Sequence, residues 1–386
     1  MKFVKTITLL MTFCVMAFGN NDRINALGGN AGFWPEDDAN VTSFPAMVNS
    51  LDMVQVTGAG NSNGTATVIW GDETTWGFKF DGANDSNNND WLNLMWGNGT
   101  YGTTFSLGMG STDNGDVATS NMGLGVGFGM NMNFGEIGVL FSNNTFDDGN
   151  DDTEEEGTTH IGFNLRRAQD LWLFDNMLVN FSMDMTTNAG NQKDYKNDDM
   201  NFSVDLFTAL PVGDGVAATF AMGFGFMSNT ETVAMMNEDG TDGSEDISSS
   251  VFTLPSMNLG IEADVTDWAT VRFGVGHSYV LAGTKGDFKW SGAQSLVETA
   301  GYVDTSTEDM EFIAGDAPEE CTTCVTGISD VPTSNFDWNF GLGFDYGSFT
   351  LDMVLENTNL FNDPVRYVTG RNNIALSSSA TLTWNF

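Results

Sequence analysis

The chain has 386 residues and a formal net charge of −39 at pH 7, with 52 acidic side chains against 13 basic ones. So negative a chain repels phosphate groups, which excludes nucleic acid as a partner. The charge does not indicate disorder, because 41% of the residues are hydrophobic and phenylalanine alone occurs 30 times.

The first residues have the pattern of a secretory signal. Two lysines precede an apolar run that ends in Ala17-Phe18-Gly19. The run from Ile7 to Phe18 is shorter than the roughly 20 residues that cross a bilayer as a helix. Small residues at positions 17 and 19 fit a signal-peptidase site. The sequence therefore predicts a signal peptide over residues 1–19 and an exported protein.

Most of the remaining chain alternates between apolar and polar residues with a period of two, which is typical of β-strands. In residues 336–346, FDWNFGLGFDY, all aromatic and aliphatic residues fall on one face, and all Asp, Asn and Gly fall on the other. The candidate strands cover residues 50–57, 64–70, 74–81, 90–96, 101–110, 121–132, 135–143, 159–167, 176–186, 200–209, 216–228, 250–265, 268–281, 335–346, 349–357 and 377–386.

The connections between these strands are short and long in turn. Residues 346–348 and 266–267 form tight links, whereas 229–249 and 282–334 are long. Short turns at one end and long loops at the other are typical of a transmembrane barrel. A soluble acidic sandwich or barrel also alternates, but its apolar face is hidden in a limited core. Here Phe, Met, Leu, Val and Trp recur on the apolar face in strand after strand, nearly without Lys or Arg. We therefore expect an all-β fold, a transmembrane antiparallel up-and-down β-barrel of 14–16 strands with a short N-terminal plug-like segment.

In such a barrel the apolar face contacts lipid and the polar face lines the lumen. Acids dominate the polar face, so a water-filled lumen would favour cations over anions. The predicted lumen-lining residues are Asp184, Asp205, Glu262, Asp264, Asp337, Asp345, Asp352, Glu356, Lys79, Arg166 and Arg272.

Catalysis has little support in the sequence. The chain has two histidines, His160 and His277, and neither a nucleophile elbow nor a zinc-protease motif. We therefore do not expect an enzyme. Cys321 and Cys324 are interpreted as the ends of a small disulfide-closed loop, because a redox pair would begin a helix in an α/β pattern.

Two long loops are rich in acids. Residues 147–157 and 237–246 combine Asp and Glu with Asn and Gly, whose oxygens suit Ca²⁺, although neither loop has the EF-hand spacing. A solvated, self-repelling surface is the simpler interpretation. The candidate Ca²⁺ ligands are Asp147, Asp148, Asp151 and Asp152. We expect no other cofactor.

The segment at 23–50, RINALGGNAGFWPEDDANVTSFPAMVNS, precedes the strands. It resembles the opening of the FadL-like outer-membrane transport superfamily, whose pattern is close to A-x-G-M-G-G-A-x-x-A-x-x-D-D-A-x-A-x-x-x-N-P-A. The matching positions are Ala26, Gly28, Gly29, Asp37, Asp38, Ala39, Pro45 and Ala46. The chain departs from the pattern where Phe44 replaces the usual Asn.

The resemblance implies a plug. In that family the segment leads into a fourteen-stranded barrel and contributes to an inward plug. The plug-like residues would be Gly28, Gly29, Asp37, Asp38 and Pro45, and either 50–57 or 64–70 would belong to the plug rather than to the wall. The typical cargo of the family is hydrophobic, and some relatives serve secretion systems. An ordinary N-terminal turn before the first strand is the alternative.

These observations predict a signal peptide at 1–19, a periplasmic or plug segment at 20–49 and a barrel at 50–386 with a long extracellular loop at about 291–334. The expected location is the outer membrane of a Gram-negative bacterium. The expected function is to bind or pass small molecules, either hydrophobic solutes as in FadL-like proteins or cations as in a porin. The alternative is a non-conducting structural barrel whose acidic loops bind Ca²⁺ or a secretion-system partner. Outer-membrane lipid, lipopolysaccharide and the barrel-assembly machinery are the other expected partners.

The last residues, SSSATLTWNF, alternate as a strand and end on an aromatic residue. Trp384 and Phe386 resemble the C-terminal aromatic signal that the bacterial barrel-assembly machinery reads.

Deletion of Phe386 should therefore impair assembly. We expect less heat-modifiable protein in the outer-membrane fraction of an expressing Gram-negative host, measured on a gel with unboiled samples. Substitution of Thr381, on the opposite face of the strand, by serine is the control. Normal outer-membrane levels of the truncated protein would contradict this assignment.

Overall fold

A computed structural model describes the chain in a set of ranges separated by gaps. The described residues are 21–58, 64–81, 90–113, 118–150, 155–188, 195–236, 242–285, 288–291, 301–304, 312–314, 324–326, 335–355 and 377–386. The predicted signal peptide at 1–19 lies outside them.

The described chain consists of strands preceded by short helices. Helix α1 (Asn21–Ala26) is followed by 3-10 helices at Ala31–Phe33, Asp38–Val41 and Pro45–Ser50. The strands are β1 (Met53–Thr57), β2 (Thr65–Trp70), β3 (Thr75–Asp81), β4 (Asp90–Gly97), β5 (Tyr101–Asp113), β6 (Ala118–Met132), β7 (Gly135–Asp147), β8 (Glu156–Leu171), β9 (Phe174–Thr187), β10 (Lys196–Leu210), β11 (Val216–Met236), β12 (Asp242–Thr266), β13 (Ala269–Lys285), β14 (Phe288–Ser291), β15 (Gly301–Asp304), β16 (Phe312–Ala314), β17 (Cys324–Thr326), β18 (Asn335–Tyr346), β19 (Phe349–Leu355) and β20 (Ser377–Asn385).

Sixteen of these strands form a closed antiparallel up-and-down barrel. Strands β1 to β13 pair in chain order, β13 pairs with β18, and β18, β19 and β20 follow in turn. The barrel closes where Val54 of β1 lies opposite Trp384 of β20. Each of the sixteen overlaps a strand that the sequence predicted. The fourteen strands implied by the FadL-like resemblance are wrong, because β1 and β2 both pair within the wall.

Part of the predicted loop at 291–334 adds short strands. Strand β14 extends the β13 side of the wall, and β15 pairs with both β16 and β17 in a separate three-stranded sheet. The rest of that predicted loop lies outside the described residues.

The two faces of the wall differ as the alternation predicts. On β6, Met122, Leu124, Val126 and Phe128 are exposed on the outer face, and the glycines between them face inward. Similar exposed apolar residues recur around the wall, which is the surface that a bilayer covers. Among the described residues, no helix is long and apolar enough to cross a membrane.

One end of the barrel carries the tight connections, and we call it the short-turn end. Residues 133–134, 267–268 and 347–348 each link two strands there. Aromatic residues cluster near this end with exposed rings, as interfacial girdle residues do. They are Trp70, Trp76, Phe134, Trp172, Trp268, Tyr346, Trp384 and Phe386. The opposite end is the long-loop end.

Residues 21–50, which we call the plug, fold inside the barrel at its short-turn half. Their helices pack against inward-facing positions on β3 to β7 and on β13 and β18 to β20. The plug therefore touches opposite sides of the wall and crosses the lumen.

Candidate functional site

The plug approaches the wall closely because glycines face it. A Cβ atom added to Gly102, Gly129 or Gly138 would overlap the plug backbone between Ser43 and Ala46. Across the lumen, a Cβ at Gly274 or Gly341 would overlap α1 or the residues just after it. Glycine lets two backbones approach closely because it has no side chain. The inward glycines therefore form a seat for the plug.

A chain of alternating charges fastens α1 to the wall. Arg23 of the plug contacts the carboxylates of Asp37 and Glu262, with Nε lying 2.9 Å from Glu262 Oε2. Glu262 also accepts from Arg272 Nε at 2.6 Å, and Arg272 Nη1 lies 2.5 Å from Asp352 Oδ1. We call these five residues the charge chain. It runs from the plug through β12 and β13 to β19.

Burial makes the pairing in the charge chain obligatory. Asp352 is 0% exposed to solvent, and Arg272 is 4% exposed. Burial alone would lower the pKa of the Arg23 guanidinium, but the Asp37 and Glu262 carboxylates raise that pKa above its ordinary value. Removing one partner of a buried ion pair leaves an uncompensated charge, which is strongly destabilising.

A second arginine fastens the other half of the plug. Arg166 of β8 bonds to Glu136 of β7, with Nε lying 2.6 Å from Oε2. Its guanidinium also donates to the Gly32 carbonyl at 3.2 Å and to Asn40 Oδ1 at 3.0 Å. The same guanidinium lies over the Phe44 ring, 4.6 Å from its centroid. Arg166 Nη2 also donates to the Pro35 carbonyl at 3.3 Å, so Arg166 joins a wall carboxylate to four plug residues.

Further polar contacts surround these two arginines. Asp22 accepts from Thr381 Oγ1 at 2.6 Å and from Ser379. Asn258 donates to the Gly28 carbonyl at 3.1 Å, and Gln55 Nε2 donates to Asp38 Oδ2 at 2.6 Å. Asp37, besides pairing with Arg23, caps the 3-10 helix at Asp38–Val41.

Apolar packing seals the lumen between these polar contacts. Side chains from the plug and from the inner wall form one buried cluster, with the Phe33 and Phe207 rings 5.5 Å apart. The cluster, which we call the apolar seal, comprises Phe33, Val41, Phe44, Met47, Val48, Met53, Ile69, Met95, Leu178, Phe207 and Ala221. Side chains of this kind give the short-turn half a core like that of a soluble protein.

The predicted lumen-lining residues fall into three groups. Lys79, Arg166, Glu262, Arg272 and Asp352 lie at or beside the plug, and the three basic side chains among them are buried. Asp184, Asp205 and Asp337 lie on inward positions toward the long-loop end. Asp264 and Asp345 lie near the short-turn end, where they accept from Thr270 and Thr350. Glu356 lies outside the described residues.

The part of the lumen between the plug and the long-loop end, the upper lumen, carries exposed acids. The Asp184 side chain is 39% exposed and bonds to His160 Nδ1 at 2.7 Å. Asp199 lies opposite Asp184 on β10 and accepts from Asn229 at 2.8 Å. Among the lumen-facing side chains that the structure describes there, no lysine or arginine is exposed.

The remaining predicted residues are scattered. Asp147 and Asp148 accept the backbone N–H groups of Gly149 and Asn150, while Asp151 and Asp152 lie outside the described residues. Over the described ranges, no group of three or more His, Cys, Asp and Glu could hold a metal ion.

The structure describes one of the two predicted disulfide cysteines and both residues of the predicted assembly signal. Cys324 begins β17, and Cys321 lies outside the described ranges, so the disulfide stays a prediction. Trp384 stacks on Phe349 and lies 5.5 Å from the Phe386 ring, on the outer face.

Sequence reasoning missed several residues that fasten the plug. Asp22, Arg23, Asn40 and Glu136 were not singled out, although each joins the plug to the wall or to Arg166. Their partners are distant in the chain, and no local pattern marks them. The recurrence of glycine on the polar face of many strands was the available signal for a close-fitting occupant.

Comparison with known proteins gives a likeness in fold alone. No protein-family model matches the chain, and no characterised protein matches its sequence. Among solved structures, the chain is similar to the copper transporter OprC, with 7% identity, a TM-score of 0.39, and coverage of 79% of this chain and 45% of that one.

Two further structures are similar at the same low level. BauA, the ferric preacinetobactin receptor from Acinetobacter baumannii, has 10% identity and a TM-score of 0.37, covering 78% of this chain and 53% of that one. CdiB from Acinetobacter baumannii has 9% identity and a TM-score of 0.32, covering 86% and 59%. The chain spans about half the length of the structures it matches. Scores this low support no argument about function.

Breaking the charge chain should destabilise the protein. We expect Arg272→Met to lower the free energy of unfolding by about 3 kcal/mol, because Asp352 would keep a buried charge without its main partner. The measurement is urea unfolding of the protein in detergent micelles. Addition of Asp352→Asn should recover part of the loss. Arg167→Met, at a half-buried arginine outside the charge chain, is the control, and an equal loss in both would contradict the assignment.

Proposed function

We propose that this protein is an outer-membrane channel for small hydrophilic solutes, and that the plug holds it closed at rest. The observation that carries the proposal is a plug fastened across the lumen by buried ion pairs, a glycine seat and apolar packing. Under this proposal the short-turn end faces the periplasm and the long loops face the exterior. Transport, not catalysis, is the proposed activity.

The lining of the upper lumen favours a hydrophilic solute. Its described inward positions are mostly Gly, Ser, Thr, Asn and Asp, as in Ser182, Asn201 and Ser203. A site for hydrophobic cargo is lined mainly by apolar and aromatic side chains. The described inward apolar residues are instead concentrated in the core that the plug forms with the wall. The hydrophobic cargo typical of FadL-like proteins is therefore the less favoured form of the proposal.

The charge of the upper lumen favours cations. Asp184, Asp199 and Asp337 face it, while Lys79, Arg166 and Arg272 are buried beside the plug. Rings of carboxylates attract cations and repel anions at close quarters. We propose that neutral and positively charged solutes pass in preference to anions.

A non-conducting structural barrel is the second candidate, and the strength of the plug's attachment favours it. A plug that never moves would leave the acidic loops as the functional surface. Its partners would be Ca²⁺, lipopolysaccharide or a secretion system, and assembly by the barrel-assembly machinery is common to both candidates.

Planar bilayer recordings separate the two candidates. We expect the unaltered protein to be closed for most of the time, and Arg23→Gln to raise the open fraction by roughly tenfold, since a charge-assisted bond is worth ~1.5–3 kcal/mol. The reversal potential in a salt gradient should show cation selectivity, which Asp184→Asn should reduce. Arg167→Gln is the control.

Two other outcomes of these recordings would contradict the proposed channel. Silence of the unaltered protein and of Arg23→Gln alike would contradict the channel and favour the structural barrel. A permanently open or anion-selective unaltered protein would contradict the closed, cation-favouring channel.

A further inference from the structure

A single row of polar residues crosses the inner wall just above the apolar seal. Paired positions on adjacent strands β1 to β7 define it, and we call it the polar row. Its members are Gln55, Thr67, Lys79, Asn93, Ser106, Gly125 and Ser142. Its six members other than glycine are all buried. The next row toward the short-turn end begins with Met53, Ile69 and Gly77, and the first two of these belong to the apolar seal.

Unpaired polar atoms are concentrated on the polar row. Seven buried side-chain nitrogen and oxygen atoms have no hydrogen-bond partner within the described part of the chain. Four of the seven lie on this row: Gln55 Oε1, Asn93 Nδ2, Asn93 Oδ1 and Ser142 Oγ. Asn93 is 1% exposed and Ser142 is 7% exposed.

This arrangement is unfavourable for a closed state alone. A buried polar atom without a partner loses the hydrogen bonds that it would make with water. A wall built only to pack against a plug would be apolar here, as it is at Met53, Ile69 and Met95 one row below. We propose that the polar row is the solute track of the open channel, a binding surface for hydrophilic, hydroxyl-bearing or cationic solutes.

The position of the plug indicates how the track is uncovered. The helix at Pro45–Ser50 packs against β3 to β7, the same sector of wall, and Asp38 contacts the row at Gln55. Withdrawal of residues 38–50 from this sector would admit water to the row. The unpaired atoms would then gain partners, so they favour the open state.

The polar row continues without a break into the upper lumen. Ser142 lies opposite His160, His160 opposite Asp184, and Asp184 opposite Asp199. Neighbouring strands are about 4.8 Å apart, so these four positions span about 14 Å. The track therefore connects the exposed carboxylates of the upper lumen with the surface of the plug. This inference rests on the proposed function and adds the route and the solute class.

Cysteine labelling tests whether the polar row becomes accessible to water. In a background without the native cysteines, Asn93→Cys and Ser142→Cys are treated with a charged, membrane-impermeant thiol reagent. Arg166→Gln loosens the half of the plug that covers this sector, and we expect it to raise both labelling rates by roughly tenfold. Leu94→Cys, one residue away on the lipid-facing side, should stay unlabelled in both backgrounds.

A matched pair of substitutions tests the energetic argument. Asn93→Leu removes an unpaired buried amide, so the open fraction in bilayer recordings should fall by roughly tenfold. Asn164→Leu removes an amide that donates to the Ser43 carbonyl of the plug at 3.1 Å, so the open fraction should rise. Heat-modifiable mobility of each variant shows that its barrel is folded.

The experiments distinguish failure of the solute track from failure of the proposed channel. Conduction by Arg166→Gln without labelling at Asn93→Cys and Ser142→Cys would overturn the track and leave the proposed function standing. Labelling without conduction would support a wet row and overturn the channel. Equal open fractions in Asn93→Leu and the unaltered protein would overturn the claim that the unpaired atoms favour opening. If Asn93→Cys fails to fold, Ser142→Cys, which exchanges one atom, decides the labelling result.

Discussion

The structure depends on the pairing of Arg23 and Arg272 with three carboxylates inside the barrel. Glu262 contacts both arginines, and Arg272 also contacts Asp352, which is fully buried. Because charges in a low-dielectric interior must be compensated, the plug and the wall are each incomplete alone. The plug supplies the positive charge that β12 needs, and β12 supplies the negative charge that holds α1 in place.

The glycine seat follows from the same arrangement. Contacts such as those of Arg23 and Arg166 require the plug backbone to lie against the wall on several sides at once. Gly102, Gly138 and Gly274 allow that approach where any side chain would collide with the plug. These inward glycines are therefore interpreted as part of the plug's binding surface and not as spare volume for a wide pore.

The barrel itself was largely predictable from the sequence, because its determinants are local. Period-two alternation placed all sixteen wall strands, including the short β1 and β2, and the alternation of link lengths gave their up-and-down order. The resemblance of the N-terminal segment to the FadL-like superfamily gave the wrong strand number, and no family model matches the chain. It did direct attention to residues 23–50 as a plug-like segment, and the structure places residues 21–50 inside the lumen.

The site was less predictable, because its contacts join residues far apart in the chain. Arg272 and Asp352 were both expected to line the lumen, but nothing in the sequence pairs them or brings Arg23 to Glu262. Lys79, Arg166 and Arg272 could be assigned to the polar face, but their burial depends on the plug. The charge of the accessible lumen is thus more one-sided than the count of polar-face residues indicated.

The most direct test of this account is a reversible crosslink between plug and wall. Asp22→Cys and Ser379→Cys would replace two side chains that are in direct contact, in a background without the native cysteines. The account predicts that the disulfide forms in assembled protein and holds bilayer conductance at zero until a reductant is added. Failure of the crosslink to form in folded barrel, or conductance through the crosslinked protein, would contradict a plug that closes the lumen. Zero conductance after reduction would contradict a plug that opens.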